Sequence, residues 1–124
     1  MPTKSKKPAF PQFKRFSCQG DCIQWEHEGY DFVARLEHDT KCYSEKDIAA
    51  WKNGQWFFAG VIISVSKNDV QLNSHAASLW GIECNFPSRK KNPNAYLSEV
   101  ALELQDQALE AAKLDEARII AALS

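Results

Sequence analysis

The sequence has no apolar run that reaches the roughly 18 residues of a membrane-spanning helix. Its longest apolar stretch, residues 56–65, is interrupted by Gly60 and Ser64 and is typical of a buried strand. The basic N-terminal residues lack the apolar segment of a secretory signal peptide. We therefore expect a cytoplasmic protein that has no membrane contact.

Short catalytic motifs are also lacking. The sequence contains no Gly-x-Ser-x-Gly elbow, no phosphate-binding glycine loop, no His-Glu-x-x-His helix and no dinucleotide fingerprint. The histidines, His27, His38 and His75, fall in separate segments, so their spacing indicates no catalytic pair. We expect no enzyme activity, no catalytic residue and no cofactor.

Cysteine is present but forms no strong metal motif. Cys18 and Cys22 match the paired ligands of a zinc site only loosely, and Cys42 and Cys84 form no second close pair. Free thiols are the normal state of cysteine in the cytosol. The sequence therefore predicts no bound metal, and a thiol- or zinc-dependent enzyme stays as the second alternative.

The chain is nearly neutral overall, but its two parts have opposite charge. Residues 1–15 carry five cations and no acid, and because the net charge of the 124 residues is −1, the other 109 residues carry −6. Prolines in this first part favour an extended chain. We expect a flexible basic tail over residues 1–15 and one domain over residues 16–124, since this length has material for a single core.

Apolar and polar residues alternate along residues 22–38, which predicts two strands. Glu28-Gly29 supplies the turn between them, because glycine adopts positive φ without steric cost. The result is a β-hairpin with one buried face. The alternation places Glu26, Glu28 and Asp31 mainly on the other face.

The middle of the chain predicts a short helix and then a central strand. Ser44 and Asp47 match a capping box, and Gly54 is placed to end a helix over about residues 45–53. Residues 55–66 are rich in aromatic and β-branched side chains, which favours a strand.

A second hairpin follows. Lys67-Asn68-Asp69 predicts a turn, and a return strand begins at Val70. The pattern from Ser74 onward permits either a helical turn or an extended chain, and we assign a strand only to about residues 79–84.

Residues 95–124 contain no glycine or proline and many strong helix formers, with Asn94 in the N-cap position. We predict a long C-terminal helix here. Its apolar stripe is expected to lie on the sheet, because its spacings of three and four residues keep it on one side. The stripe consists of Leu97, Val100, Ala101, Leu104, Ala108 and Ala111.

These elements together predict an α+β domain in the order β-β-α-β-β-α. About four antiparallel strands form a sheet that packs against the long C-terminal helix, with one short helix between the hairpins. Four tryptophans are many for this length, and most are expected in the core. Trp51 or Trp80 is a candidate anchor for an interface, where tryptophan is enriched.

The candidate partner-binding residues are carboxylates on the predicted exposed faces. Those in the helix are spaced four, three and four residues apart, so they share one face, and only Lys113 is placed to pair with one of them. A solvated face and a surface complementary to a basic partner both fit this pattern, and we take the second interpretation. The full set is Glu26, Glu28, Asp31, Glu99, Glu103, Asp106 and Glu110.

The first alternative is a nucleic-acid-binding accessory protein. Its cations are in the tail and in the loop before the C-terminal helix, and they predict an affinity that falls steeply with salt. These residues are Lys4, Lys6, Lys7, Lys14, Arg15, Arg89, Lys90 and Lys91. We favour a protein or nucleoprotein partner with a basic surface over direct nucleic-acid binding.

Four runs of the sequence, residues 34–39, 41–51, 77–83 and 94–100, resemble a family of small uncharacterised proteins from bacteriophages and other mobile elements. The resemblance covers most of residues 22–112 and implies a mobile-element origin, with no catalytic motif to carry over. The acidic loop common in that family is shortened here to residues 38–42. By analogy with small acidic proteins that bind host machinery, we expect an anti-CRISPR or other anti-defence inhibitor acting in the host cytosol. Its target and oligomeric state stay open.

Overall fold

The computed structural model describes residues 10–39, 56–86 and 92–124. These residues form β1 (Cys22–His27), β2 (Tyr30–His38), β3 (Phe57–Lys67), β4 (Val70–Cys84) and α1 (Ala95–Leu123). The strands make one antiparallel sheet in the order β1-β2-β3-β4, and α1 packs against it. The predicted α+β fold, with a four-stranded sheet and a C-terminal helix, is confirmed. The short helix predicted over residues 45–53 lies outside the described residues.

The first hairpin forms where the alternating pattern predicts it. The turn residues Glu28-Gly29 have φ angles of 52° and 83°, the left-handed conformation that a two-residue hairpin turn requires. The register places Trp25 opposite Phe32 and Glu26 opposite Asp31. Because side chains alternate between the two faces, the aromatic pair faces α1 and the acidic pair faces away from it.

The second hairpin turns at Asn68-Asp69, whose φ angles are 50° and 65°. The turn and the start of β4 are as predicted, but β4 is one strand of 15 residues, whereas the sequence pattern predicts strand only at its two ends. Its pairing with β3 shifts register at three places, so extra residues on β4 obscure the alternating pattern. At one shift, Asn73 Oδ1 accepts a hydrogen bond of 2.8 Å from the His75 backbone N–H.

The core lies between the sheet and α1. Each valine, leucine, isoleucine or phenylalanine side chain buried there stabilises the fold by roughly 1.5–3 kcal/mol, and each alanine by less. The strands contribute Phe32, Ala34, Leu36, Val61, Ile63 and Val65. The helix contributes Leu97, Val100, Ala101, Ala108, Leu109 and Ala112, with Leu104 and Ala111 partly buried. The predicted apolar stripe therefore does lie on the sheet.

Polar contacts fix the position of α1 along the sheet. Near the middle of the helix, Gln105 accepts a hydrogen bond of 2.8 Å from the indole N–H of Trp25. Farther along, Glu116 accepts a hydrogen bond of 2.5 Å from the Tyr30 phenol and lies 3.1 Å from Lys67 Nζ. These contacts join the helix to three different strands, so they set both the direction of the helix axis and the distance of the helix from the sheet.

The segment before β1 belongs to the folded domain. Phe13 is 3% exposed, and its backbone N–H donates a hydrogen bond of 2.9 Å to Ser98 Oγ on α1. Phe10 packs against Trp25 with ring centroids 4.7 Å apart. Residues 10–15, which the sequence pattern assigns to the tail, therefore contact the folded domain through Phe13, which is buried in the core, and Phe10, which is partly buried against it. Residues 1–9 lie outside the part of the chain that the structure describes.

Buried side-chain amides complete the attachment of this segment. Asn94 is fully buried and donates through Nδ2 to the backbone carbonyls of Lys14 and Arg15, at 2.9 and 3.1 Å. Asn85 makes two hydrogen bonds to the backbone of Ser17, at 2.8 and 2.7 Å. Asn94 occupies the predicted N-cap position but makes no capping hydrogen bond, since its side chain is committed to these contacts.

The face of the sheet opposite α1 is partly covered by its own side chains. Arg35 on β2 reaches across β3 and donates a hydrogen bond of 3.1 Å to the Ser74 carbonyl on β4. Ile62, which lies between them on β3, is 1% exposed as a result. Trp80 covers Gly60, where an added Cβ atom would collide with the indole ring.

Candidate functional site

The outer face of α1 carries a row of carboxylates that we call the acidic stripe: Glu99, Glu103, Asp106 and Glu110. All four side chains are exposed. Their spacing keeps them on one side of the helix, and the buried residues that contact the sheet occupy the opposite side. The structure therefore brings these four predicted residues together, as the periodicity indicated.

No cation neutralises the acidic stripe within the described ranges. The ion pairs there are His27–Glu28, Arg35–Glu37, Lys67–Glu116 and Asp115–Arg118, and none includes a stripe residue. Lys113, the predicted neighbour in sequence, does not pair with Glu110. Like charges three and four residues apart each cost a helix a few tenths of a kcal/mol. A cationic partner would therefore reduce the electrostatic repulsion among the four carboxylates of the acidic stripe.

The first hairpin holds the other three predicted acids, which we call the hairpin carboxylates: Glu26, Glu28 and Asp31. Glu26 and Asp31 are direct cross-strand neighbours and both are exposed, an arrangement that destabilises a strand pair. Glu28 in the turn lies 3.0 Å from His27 Nε2. The pair on the strands faces away from α1, whereas the acidic stripe lies on the far side of α1. The seven predicted residues therefore form two separate surfaces and not one.

The cations of the nucleic-acid alternative are only partly described. Lys14 and Arg15 are exposed, and their backbone carbonyls are held by Asn94, just before α1. Arg15 lies over the Phe16 ring, with the guanidinium carbon 5.4 Å from the ring centroid. Lys4, Lys6 and Lys7 of the tail, and Arg89, Lys90 and Lys91 of the loop, lie outside the described residues.

The described cysteines, Cys18, Cys22 and Cys84, are free thiols. Cys18 Sγ donates to Asp21 Oδ1 at 3.3 Å, and this contact raises the pKa of the Cys18 thiol above its ordinary value. Burial raises the pKa of Cys84 to about 12. Within the described ranges, no three His, Cys, Asp or Glu side chains come together to hold a metal ion. Cys42 lies outside them.

A groove between the end of β4 and the start of α1 was not predicted from the sequence. It has a volume of about 370 Å³. Its lining is mainly aromatic and apolar, with one carboxylate: Phe58, Gly81, Ile82, Glu83, Phe86, Pro93 and Tyr96. The lining residues lie before and after a proline-containing loop in the sequence, so no local sequence pattern predicts the groove. The candidate anchor Trp80 is 43% exposed and is not among the residues that line the groove, and Trp51 lies outside the described residues.

Among the residues that the structure covers, no helix is both long enough and apolar enough to cross a membrane. Comparisons with protein-family models, with curated proteins and with solved structures gave no match to this chain. The resemblance to mobile-element proteins therefore stays a prediction.

Proposed function

We propose that this chain is a non-enzymatic binding protein whose acidic stripe docks on a basic surface of a larger partner. The observation that carries the proposal is the row of four exposed carboxylates on α1 without a neutralising cation among the described residues. Such a row raises the local concentration of a cationic partner and selects against acidic ones. The hairpin carboxylates form a second acidic surface, which faces away from α1 and lies apart from the acidic stripe.

The partner that we propose is a host defence complex, which the protein inhibits in the manner of an anti-CRISPR or other anti-defence protein of a bacteriophage or mobile element. This part rests on the resemblance of residues 22–112 to mobile-element proteins and on the net charge of −6 after residue 15. Complexes whose natural ligand is nucleic acid carry basic grooves. An acidic protein surface would therefore compete with nucleic acid for such a groove.

Neutralisation of the acidic stripe tests the proposal. The tagged protein and its E99Q/E103Q/D106N/E110Q variant are used to capture partners from a host lysate, and each captured complex is then assayed for nucleic-acid cleavage. At about 0.5 kcal/mol for each exposed ion pair, loss of four pairs weakens binding roughly thirtyfold. The variant should therefore lose both capture and inhibition.

A matched control shows whether the loss of binding is specific to the acidic stripe. The E26Q/E28Q/D31N variant removes three carboxylates from the hairpin surface and should capture the same partner as the unchanged protein. Equal capture and inhibition by the stripe variant would reject the acidic stripe as the binding surface. Capture of a complex whose activity does not change would reject the inhibitor role.

One observation favours the nucleic-acid alternative. The hydrogen bonds from Asn94 fix Lys14 and Arg15 immediately before α1, so the base of the tail has a defined place on the folded domain. A gel-shift titration at several salt concentrations separates the two functions. The alternative predicts direct binding that disappears with residues 1–9 removed, whereas the acidic binder shows no shift at physiological salt.

A further inference from the structure

We propose that the groove between β4 and α1 binds an arginine side chain of the partner, next to the place where the acidic stripe begins. This inference rests on the proposed function, because it names the kind of side chain that the same partner presents. The groove would supply the anchor of the interface, and the stripe would supply its charge.

The lining of the groove suits the shape of arginine. Tyr96 is 53% exposed and Phe86 is 37% exposed, so each presents a ring edge or face to solvent. Phe58 and Ile82 form apolar parts of the same lining. An arginine combines a flexible apolar stem with a planar guanidinium, so it can cover apolar surface and stack on an aromatic ring at the same time. Half-exposed aromatic residues of this kind are enriched among the residues that dominate binding energy at interfaces.

The charge of the lining also selects a cation. Glu83 lines the groove, is exposed, and takes part in none of the ion pairs of the described residues. Glu99 follows Tyr96 by three positions on α1, which makes the two side chains neighbours on the helix surface. The groove is therefore continuous with the N-terminal end of the acidic stripe. Arg89, Lys90 and Lys91 follow Phe86 in the sequence and lie outside the described residues.

Arginine fits better than lysine for two physical reasons. Its guanidinium is planar and weakly hydrated, so it stacks on tyrosine and phenylalanine rings, and its fork of donors matches a carboxylate. The ammonium group of lysine is a strongly hydrated point charge that gains less from the same rings. Long-range attraction to the acidic stripe depends on charge alone, and the carboxylates at close range favour the guanidinium fork wherever they lie, so the part of the preference that depends on the Tyr96 ring reports on the groove.

The experiment uses the full chain and two synthetic peptides of equal length and charge, one rich in arginine and the other rich in lysine. Binding is followed by NMR titration, with the Tyr96 and Glu83 resonances as reporters. Because stacking of a cation on an exposed ring contributes about 0.5–1 kcal/mol, we expect the arginine peptide to bind roughly two- to fivefold more tightly. The Y96L variant keeps an apolar side chain but removes the ring, and its preference for the arginine peptide should be smaller.

The L102A variant is the matched control, since Leu102 is an exposed apolar residue of α1 outside the groove. It should keep the preference for arginine. Equal binding of the two peptides by the unchanged protein, or an undiminished preference in Y96L, overturns the proposal for the groove but not the proposal for the acidic stripe. Failure of both peptides to bind overturns the proposed function together with this inference. Binding of a single-stranded oligonucleotide that shifts the Tyr96 resonance and is lost in Y96L also overturns it.

Discussion

The phenol of Tyr30 donates a hydrogen bond of 2.5 Å to the Glu116 carboxylate, and so joins the start of β2 to the last third of α1. Lys67 at the end of β3 completes the contact, with its Nζ 3.1 Å from Glu116 and 4.7 Å from the centroid of the Tyr30 ring. The three residues come from three elements. They hold the end of the helix over the sheet just before it extends into solvent.

Replacing Tyr30 with phenylalanine tests the strength of this contact. Y30F keeps the ring beneath Lys67 and removes only the hydroxyl, so it isolates the hydrogen bond to Glu116. We expect the free energy of unfolding to fall by about 1–2 kcal/mol, measured by urea denaturation. Tyr96 is exposed, so Y96F is the matched control and should change stability little. Equal stability of Y30F and the unchanged protein would contradict the prediction.

The same contact predicts a dependence of stability on pH. Hydrogen bonds from Tyr30 and then Lys67 hold the pKa of the Glu116 carboxyl below its ordinary value. A carboxyl whose pKa is lower in the folded state stabilises the fold above its unfolded pKa, about 4.3, and that contribution disappears as the pH falls through the folded pKa.

The E116Q variant lacks this titration. The difference in unfolding free energy between the unchanged protein and E116Q should therefore be largest near neutral pH and should shrink on acidification below about pH 4.3. Urea denaturation over this range measures it. A difference that stays constant with pH would show that the charge of Glu116 does not contribute.

Gly60 should tolerate no side chain. An added Cβ atom would collide with the Trp80 ring, which lies over this position on the open face of the sheet. We expect G60A to lower the free energy of unfolding by about 1–3 kcal/mol, the usual cost of overpacking, and to change the tryptophan fluorescence. The double variant G60A/W80A removes the collision and should be no less stable than W80A alone. Additive losses in the double variant would contradict the argument.

Asn94 should be essential for the attachment of the N-terminal segment. N94A removes the donor to the Arg15 carbonyl, one of the two donors to the Lys14 carbonyl, which also accepts from Ser17 Oγ at 3.2 Å, and the acceptor for the Asn85 backbone N–H. Each buried group left unsatisfied costs about 1–3 kcal/mol, so we expect a clear loss of stability and faster trypsin cleavage after Lys14 and Arg15. Gln12 is exposed, so Q12A is the control and should be cleaved at the original rate. Unchanged cleavage of N94A would reject this role.

Local signals explain which parts of this fold were predictable from the sequence. The turn at Glu28-Gly29 and the helix after Asn94 were predicted because glycine, alternation and helix formers act over a few residues. The burial of Phe13 was missed, because its partner Ser98 is 85 positions away in the sequence. The acidic stripe followed from helical periodicity alone. The groove could not be predicted in this way, because Glu83 and Tyr96 come together only when the end of β4 is folded against α1.

The cysteines provide a final test, which also bears on the thiol-enzyme alternative. The contact with Asp21 raises the pKa of the exposed Cys18 thiol, and burial raises the pKa of Cys84 to about 12. Catalytic cysteines show the opposite shift, because only the thiolate attacks. We expect D21N to alkylate faster at Cys18 but not at Cys22, and Cys84 to react only after unfolding, as measured by mass spectrometry. Rapid alkylation of native Cys18, unaffected by D21N, would revive the thiol-enzyme alternative.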